Sequence, residues 1–319
     1  MIETSLHALP HGITLSCRSA GVKGRPVLMF LHGFPEAAFV WDALLLHFSD
    51  PRHGGYHCIA PNLRGFEKSS TPLDVAAYRA RHLVQDVATL IELTCGAGAQ
   101  LACLVAHDWG GALAWNLAAL RPELLQKLVI VNAPHPATFL RALQNSPAQQ
   151  AASAYMNFLI LPDAESLLAE NDFRRLWDLF ERMGATDGLH AWLTPAVKEQ
   201  YREVWRAGLT GPCNYYRASP LRPPQLGAPN HDPAAQGVTL PAEMLMVKRP
   251  TLVLWGTGDT ALLPELLEGL EAFVPQLQLV QIEGATHWIV HEQPALVITQ
   301  LGEFLQQADE APNKGAGAI

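Results

Sequence analysis

The sequence predicts an α/β protein whose mostly parallel sheet is flanked by helices and interrupted by one helical insertion. Three observations carry this. Over the first 135 residues, short continuously apolar runs alternate with helix-spaced patterns, as buried parallel strands and their crossover helices require. Strand-like runs stop after Asn132-Ala133-Pro134-His135-Pro136 and return only at Pro250. The 319 residues, 49% hydrophobic and 16% charged, suffice for a large core that carries an insertion.

In chain order, Leu6–Leu9 and Ile13–Arg18 read as an antiparallel hairpin around Pro10-His11-Gly12. Val27–Leu31, Cys58–Ala60, Leu101–Ala106 and Leu128–Val131 read as buried parallel strands. Tyr78–Leu93 places apolar residues at helical spacing with charges opposite, and the Ala/Leu-rich Gly111–Leu120 reads as another helix. Pro250–Trp255 and Leu277–Ile282 complete an eight-stranded sheet. The predicted division is a core of residues 1–135 and 246–308, a helical domain over 136–245, and a disordered tail over 309–319.

Composition excludes several classes of function. The net charge is −8 and no Lys/Arg run stands out, so the electrostatic footprint of a nucleic-acid binder is missing. No uncharged apolar stretch reaches the roughly 18 residues of a membrane span. Met1-Ile2-Glu3-Thr4 does not begin a secretory signal, so a cytoplasmic protein is expected. The five cysteines are scattered, odd in number and without CxxC spacing, which fits free thiols in a reducing compartment. No His, Asp or Glu cluster has metal spacing, and neither metal nor cofactor is expected. Monomer and homodimer both stay open.

The chemistry concentrates in Val105-Ala106-His107-Asp108-Trp109-Gly110-Gly111, which has the shape of a nucleophile elbow. The nucleophile position holds Asp108, where an ester hydrolase has Ser. A carboxylate is ionised at neutral pH without help from a base. It can displace a leaving group at saturated carbon and form an alkyl ester. Taken alone, the same residues describe a strand end running into a Gly-rich helix start. Three other segments supply context. His32-Gly33-Phe34-Pro35 follows the first parallel strand and can aim the Phe34 N–H at the same pocket, pairing with the Trp109 N–H as an oxyanion hole. Asp259 lies just past one strand end, and His287 lies in a Gly-Ala-Thr-His turn after the last strand. His32 and His107 sit beside motif residues and are expected to hold the site by hydrogen bonds rather than transfer protons.

These segments together resemble the α/β-hydrolase superfamily and, within it, the epoxide hydrolases, over nearly the whole chain. The matching stretches are His32-Gly33-Phe34-Pro35-Glu36, Pro61-Asn62-Leu63-Arg64-Gly65-Phe66, His107-Asp108-Trp109-Gly110-Gly111, Asp259 and His287. The resemblance implies an α/β-hydrolase fold with a cap domain over residues 136–245 and a triad of Asp108, Asp259 and His287. It also implies two cap tyrosines that hold an epoxide oxygen. Asn214-Tyr215-Tyr216-Arg217 matches the pattern bearing one of them, giving Tyr216. Tyr155, in Tyr155-Met156-Asn157-Phe158 before Pro162, is the second. Trp109, Phe34 and Pro35 would then contact substrate.

The implied reaction opens a small-molecule epoxide to a vicinal diol through a hydroxyalkyl ester on Asp108. Water activated by His287 and Asp259 would then hydrolyse that ester. Haloalkane or haloacid dehalogenases share the Asp nucleophile and are the alternative. They usually carry Asn where this chain has Phe34, and lack the paired tyrosines. No Arg follows Asp108 to clamp a substrate carboxylate. A non-catalytic member of the fold is the remaining reading, disfavoured by the intact triad. Trp177, Trp192 and Trp205 either line the pocket or pack a core.

Overall fold

The computed structural model describes residues 1–185, 192–225, 234–241 and 244–307. The expected tail at 309–319 lies outside the described residues. Eight strands form one sheet: β1 (Glu3–Ala8), β2 (Thr14–Ala20), β3 (Val27–Leu31), β4 (His57–Pro61), β5 (Leu101–His107), β6 (Leu125–Val131), β7 (Thr251–Gly256) and β8 (Leu277–Ile282). Their spatial order is β1-β2-β4-β3-β5-β6-β7-β8. β1 with β2 and β2 with β4 are antiparallel, and every other pair is parallel. β3, β4 and β7 are buried throughout, which explains why they read as unbroken apolar runs.

The described α-helical elements are α1 (Asp42–Ser49), α2 (Ala80–Cys95), α3 (Asp108–Leu120), α4 (Pro136–Asn145), α5 (Pro147–Ala152), α6 (Tyr155–Leu159), α7 (Ala164–Arg182, two helices separated by non-helical backbone at Glu170, Asn171, Asp172 and Phe173), α8 (Pro195–Arg206), α9 (Thr210–Ala218), α10 (Ile289–Glu292) and α11 (Pro294–Gln306). All described regular structure between β6 and β7 is helical: α4 to α9, then a short 3-10 helix at Ala234–Gly237.

Most sequence-based boundaries shift by one to three residues, and three differences have physical reasons. β6 starts at Leu125 rather than Leu128, because Lys127 is buried in the strand and donates to the carbonyls of Phe304 and Leu305 at the end of α11 (3.1 and 3.2 Å). A lysine inside a buried strand breaks the apolar run a reader looks for. α3 starts at Asp108 rather than Gly111, since the chain turns directly from strand to helix at that residue. The 42–49 helix packs Leu44, Leu45 and Phe48 inward but is short, and its pattern escapes a reading by periodicity.

Sheet order places the site. From β3 the chain moves to β4 on one side, and then returns to β5 on the other. The connections that leave the C-terminal ends of β3 and β5 therefore run to opposite sides and open a crevice, the usual ligand position in an open parallel sheet. Leu31 pairs with Ala106, His107 with Val131, Val131 with Leu254 and Gly256 with Ile282. Residues just beyond these pairs must meet at one sheet edge: Gly33 and Phe34, Asp108, Asn132, Asp259 and His287.

The three tryptophans of the helical segment pack into a core. Trp177, Trp192 and Trp205 are 6%, 9% and 3% exposed and join Phe180, Tyr201 and Trp288 in one aromatic cluster. Trp288 directly follows His287, so this cluster fastens the helical segment to the sheet edge that carries His287. Each such ring buries about 150–250 Å².

Candidate active site

Asp108 sits at the tip of the β5–α3 turn with φ +50°. For a non-glycine residue this left-handed conformation is strained, and it aims the carboxylate out of the sheet. The turn fits because its neighbours lack side chains. A Cβ on Gly33 would fall on the Asp108 carboxylate, and one on Gly110 would meet the Leu31 and His32 carbonyls. Asp108 Oδ1 accepts a hydrogen bond from the Phe34 N–H at 2.7 Å. Trp109 opens α3, so its N–H belongs to the first turn, where no intrahelical acceptor exists.

His287 is 3% exposed. Its Nδ1 lies 2.7 Å from Asp259 Oδ2, and its Nε2 lies 3.8 Å from Asp108 Oδ2. Burial alone would lower the imidazole pKa. The Asp259 carboxylate outweighs it, helped by Asp108, and pushes His287 up to about 9. Asp259 is buried too, which favours its neutral form, yet the His287 charge and hydrogen bond hold its pKa below the usual value. Its Oδ1 accepts from the N–H groups of Ala261 and Leu262 (2.8 and 2.9 Å), and its Oδ2 accepts from Asn132 Nδ2 (2.7 Å). With so many donors the carboxylate has one orientation and fixes the His287 tautomer.

Tyr155 and Tyr216 meet at this edge. Their ring centroids are 6.2 Å apart, and Tyr216 packs edge-on against Phe34 (5.1 Å) and Trp109 (5.2 Å). The Tyr155 residue keeps some exposure, but its hydroxyl is buried like that of Tyr216. Burial raises both phenol pKa values, and the Asp108 charge raises them further. Both hydroxyls therefore keep their protons and can donate. A cavity of about 280 Å³ is bordered by Asp108, Trp109, Tyr155, Phe139, Leu221 and Met244, among others. Phe34, Pro35, Tyr216 and His287 are buried and are not among the residues that border it; the Phe34 contribution is its backbone N–H, and Tyr216 is in ring contact with Trp109 and Tyr155, which do border it. A larger hollow of about 1130 Å³ also touches Tyr155 but is ringed by Arg175, Asp178, Glu181 and Arg182 and does not include Asp108. Of the two, only the smaller cavity reaches Asp108.

Five contributing residues carried no assigned role in the sequence reading. Asn132 bonds Asp259 and also accepts from the Gly256 N–H (2.9 Å), bracing two strand ends. Its φ of +41° after a strand end is the signal, since Asn tolerates that region. Glu36, 1% exposed, binds His107 Nδ1 (3.0 Å), while His107 Nε2 lies 2.9 Å from the His287 carbonyl. Burial opposes ionisation of Glu36. Hydrogen bonds from His107 and His291 overcome it and hold the carboxyl well below the ordinary range. Tyr201 and His291 reach Glu36 from the other side, and Trp205 binds the Pro35 carbonyl. His32 holds the loops as expected: Nε2 accepts from the Leu63 N–H (3.0 Å), and burial lowers its pKa to about 4. Arg64 makes a two-pronged buried ion pair with Asp86 (2.7 and 2.6 Å), a structural role. Among the described residues no cluster could hold a metal ion, and no helix is long and apolar enough to cross a membrane.

With this geometry in hand, comparison with known proteins is decisive for family. The model of the alpha/beta hydrolase fold matches residues 26–294. The chain belongs to the α/β-hydrolase superfamily. This α/β hydrolase is 34% identical to the AB hydrolase superfamily protein YfhM of Bacillus subtilis (strain 168), over 93% of this chain and 96% of that one. It is 30% identical to epoxide hydrolase 4 of Mus musculus, over 93% of this chain and 77% of that one. Among solved structures, one described as novel epoxide hydrolases from metagenomes of hot environments matches at 37% identity. Its TM-score is 0.82, covering 97% of this chain and 100% of that one. The named relatives thus place this α/β hydrolase beside the epoxide hydrolases.

Proposed function

We propose that this α/β hydrolase converts an epoxide to a vicinal diol through a covalent ester on Asp108. The observation that carries the reading is the pair of buried, protonated phenols, Tyr155 and Tyr216, gathered beside Asp108. Ring opening creates an alkoxide, a poor leaving group unless donors neutralise it, and two phenols do so. The apolar lining of the cavity favours an epoxide with a hydrocarbon substituent. The helices of residues 136–245 act as a cap that supplies both tyrosines. The five free cysteines fit a cytoplasmic enzyme, and burial pushes the Cys17, Cys58 and Cys213 thiols up to about 12, leaving them inert.

The atoms take distinct roles. Oδ1 of Asp108 is held by the Phe34 N–H, so Oδ2 is the oxygen that attacks a ring carbon. A tyrosine gives its proton to the opened oxygen, and the His287 imidazolium restores that tyrosine, directly or through water. The ester carbonyl is then Oδ1, already aimed at the Phe34 N–H, with the Trp109 N–H as second donor. Neutral His287 takes a proton from water, whose oxygen adds to the Asp108 carboxyl carbon. Negative charge collects on Oδ1 in the oxyanion hole. Collapse expels the diol, which takes the proton from His287. The new carboxylic acid of Asp108 returns its proton to His287, and the resting state is restored. No metal or cofactor is required.

A dehalogenase would use the Trp109 indole to hold a departing halide. Here that indole packs edge-on against the rings of Tyr215 and Tyr216, at 5.4 and 5.2 Å. Diol formation from styrene oxide, measured against halide release from 1-haloalkanes, separates the two. The proposal requires diol and fails if halide release dominates.

A further inference from the structure

Two side chains of α8 grip the segment that carries the oxyanion donor. Trp205 Nε1 donates to the Pro35 carbonyl at 2.7 Å, and the Tyr201 hydroxyl donates to Glu36 Oε1 at 3.1 Å. They are four residues apart, so they project from one face of the helix, and both are buried (3% and 0% exposed). His291 Nε2 closes a triangle, 2.8 Å from the Tyr201 hydroxyl and 2.9 Å from Glu36 Oε1.

The sheet holds the same segment from the opposite side. Glu36 Oε2 binds His107, the residue before the nucleophile, and the Ala38 N–H donates to Asn62 Oδ1 at 2.8 Å. Residues 34–38 are therefore clamped between α8 and the sheet. The Phe34 N–H, the donor to Asp108 Oδ1, is one peptide from the carbonyl that Trp205 holds. Nothing else described donates to the Pro35 carbonyl. Without the indole a buried acceptor is unsatisfied, and the loop gains by turning to find a new donor.

We propose that Trp205 and Tyr201 are positioning residues for ester hydrolysis: from the cap they fix the Phe34–Glu36 segment so that the Phe34 N–H faces Asp108. The effect is specific to one half of the reaction. In the resting enzyme the Phe34 N–H merely holds a carboxylate oxygen. In the tetrahedral intermediate it meets full negative charge, where an oxyanion donor is worth about 10²–10³ in rate. A misplaced donor thus slows breakdown of the ester and spares its formation. The kinetic part of this inference rests on the Asp108 ester proposed above, and the positional part does not.

The test uses Trp205→Phe, which keeps an aromatic ring but removes the donor, and Tyr201→Phe, which removes only a hydroxyl. Amide hydrogen exchange at Phe34 in the resting enzyme reads the clamp without any substrate. Rapid-quench mass spectrometry with styrene oxide reads formation and decay of the enzyme adduct. Expected in Trp205→Phe are faster exchange at Phe34, adduct formation at the parent rate, and adduct decay slowed about tenfold or more. Tyr201→Phe should move the same two readouts by a smaller amount, and it decides the matter if Trp205→Phe does not fold. Unchanged Phe34 exchange in a folded variant, or equal slowing of both halves, overturns the proposal. If the parent enzyme forms no adduct, the Asp108 ester is what fails, and the exchange result still judges the clamp.

Discussion

His287 Nε2 stands 3.8 Å from Asp108 Oδ2, beyond hydrogen-bond range, while its Nδ1 is held 2.7 Å from Asp259. The imidazole is anchored at one end and uncommitted at the other. That suits a base that must take a proton from water only after the nucleophile has reacted. His287→Gln should keep ester formation and stall ester hydrolysis by about 10²–10⁴, the usual worth of general base catalysis. Intact-mass measurement should show the enzyme heavier by one epoxide. A variant that turns over normally, or never gains the mass, contradicts the assignment.

The His287 pKa near 9 predicts a charge switch. In the resting site two carboxylates stabilise the imidazolium. In the proposed ester the Asp108 charge, one of the causes that raise the pKa, would be gone, so the value would fall in the intermediate and release the base. The decay rate of the adduct should rise with pH through a pKa below about 9. Asp108→Ala mimics the loss of charge, and its His287 ring resonances should titrate at lower pH than in the parent. An unchanged titration would refute the switch.

The same shift has a stability consequence. The folded pKa of His287 is raised above its ordinary 6.5, so the charged imidazole favours the folded state. That contribution is complete below about 6.5 and is lost as pH climbs through about 9. Replacing His287 by Gln should flatten the fall in melting temperature across this alkaline window. A parallel fall in both proteins would contradict it.

How much of this was legible in the chain follows from where each residue lies. Asp108, Asp259 and His287 each stand just past a strand end, so local pattern found them. Tyr216 came from the Asn-Tyr-Tyr-Arg run and Tyr155 from a looser match, both through resemblance rather than periodicity. Asn132, Glu36, Tyr201, Trp205 and His291 were opaque because their partners lie far along the chain. Tyr201 and Glu36, for example, are separated by 165 positions. Spacing reveals which face of α8 is buried but not which carbonyl waits beneath it. The start of β6 was hidden for a similar reason, since the partners of Lys127 include carbonyls of α11 some 177 positions away.

The two phenols should act on the opposite half-reaction from His287. Tyr216→Phe and Tyr155→Phe each remove one donor to the developing alkoxide and should slow adduct formation by about 10–10². Adduct decay should change little. The double variant should lose nearly all ring opening. If either single variant slows decay and spares formation, that tyrosine has been misassigned.

Asn132 offers a structural check. Asn132→Ala leaves the Gly256 N–H without its acceptor and removes one donor from Asp259. An unsatisfied buried group costs about 1–3 kcal/mol, measurable by denaturant titration. Turnover should fall along with it, because Asp259 loses one of the bonds that orient it. Parent-like stability would mean that water replaces the amide.

In the proposed mechanism water attacks Asp108, not the epoxide. A single turnover in ¹⁸O-water, with enzyme in excess over styrene oxide, tests it directly. The new diol oxygen should come from Asp108 and carry no label, and the peptide containing Asp108 should be heavier by one ¹⁸O. Label appearing in the diol of that first turnover, with an unlabelled Asp108 peptide, would contradict the ester mechanism outright.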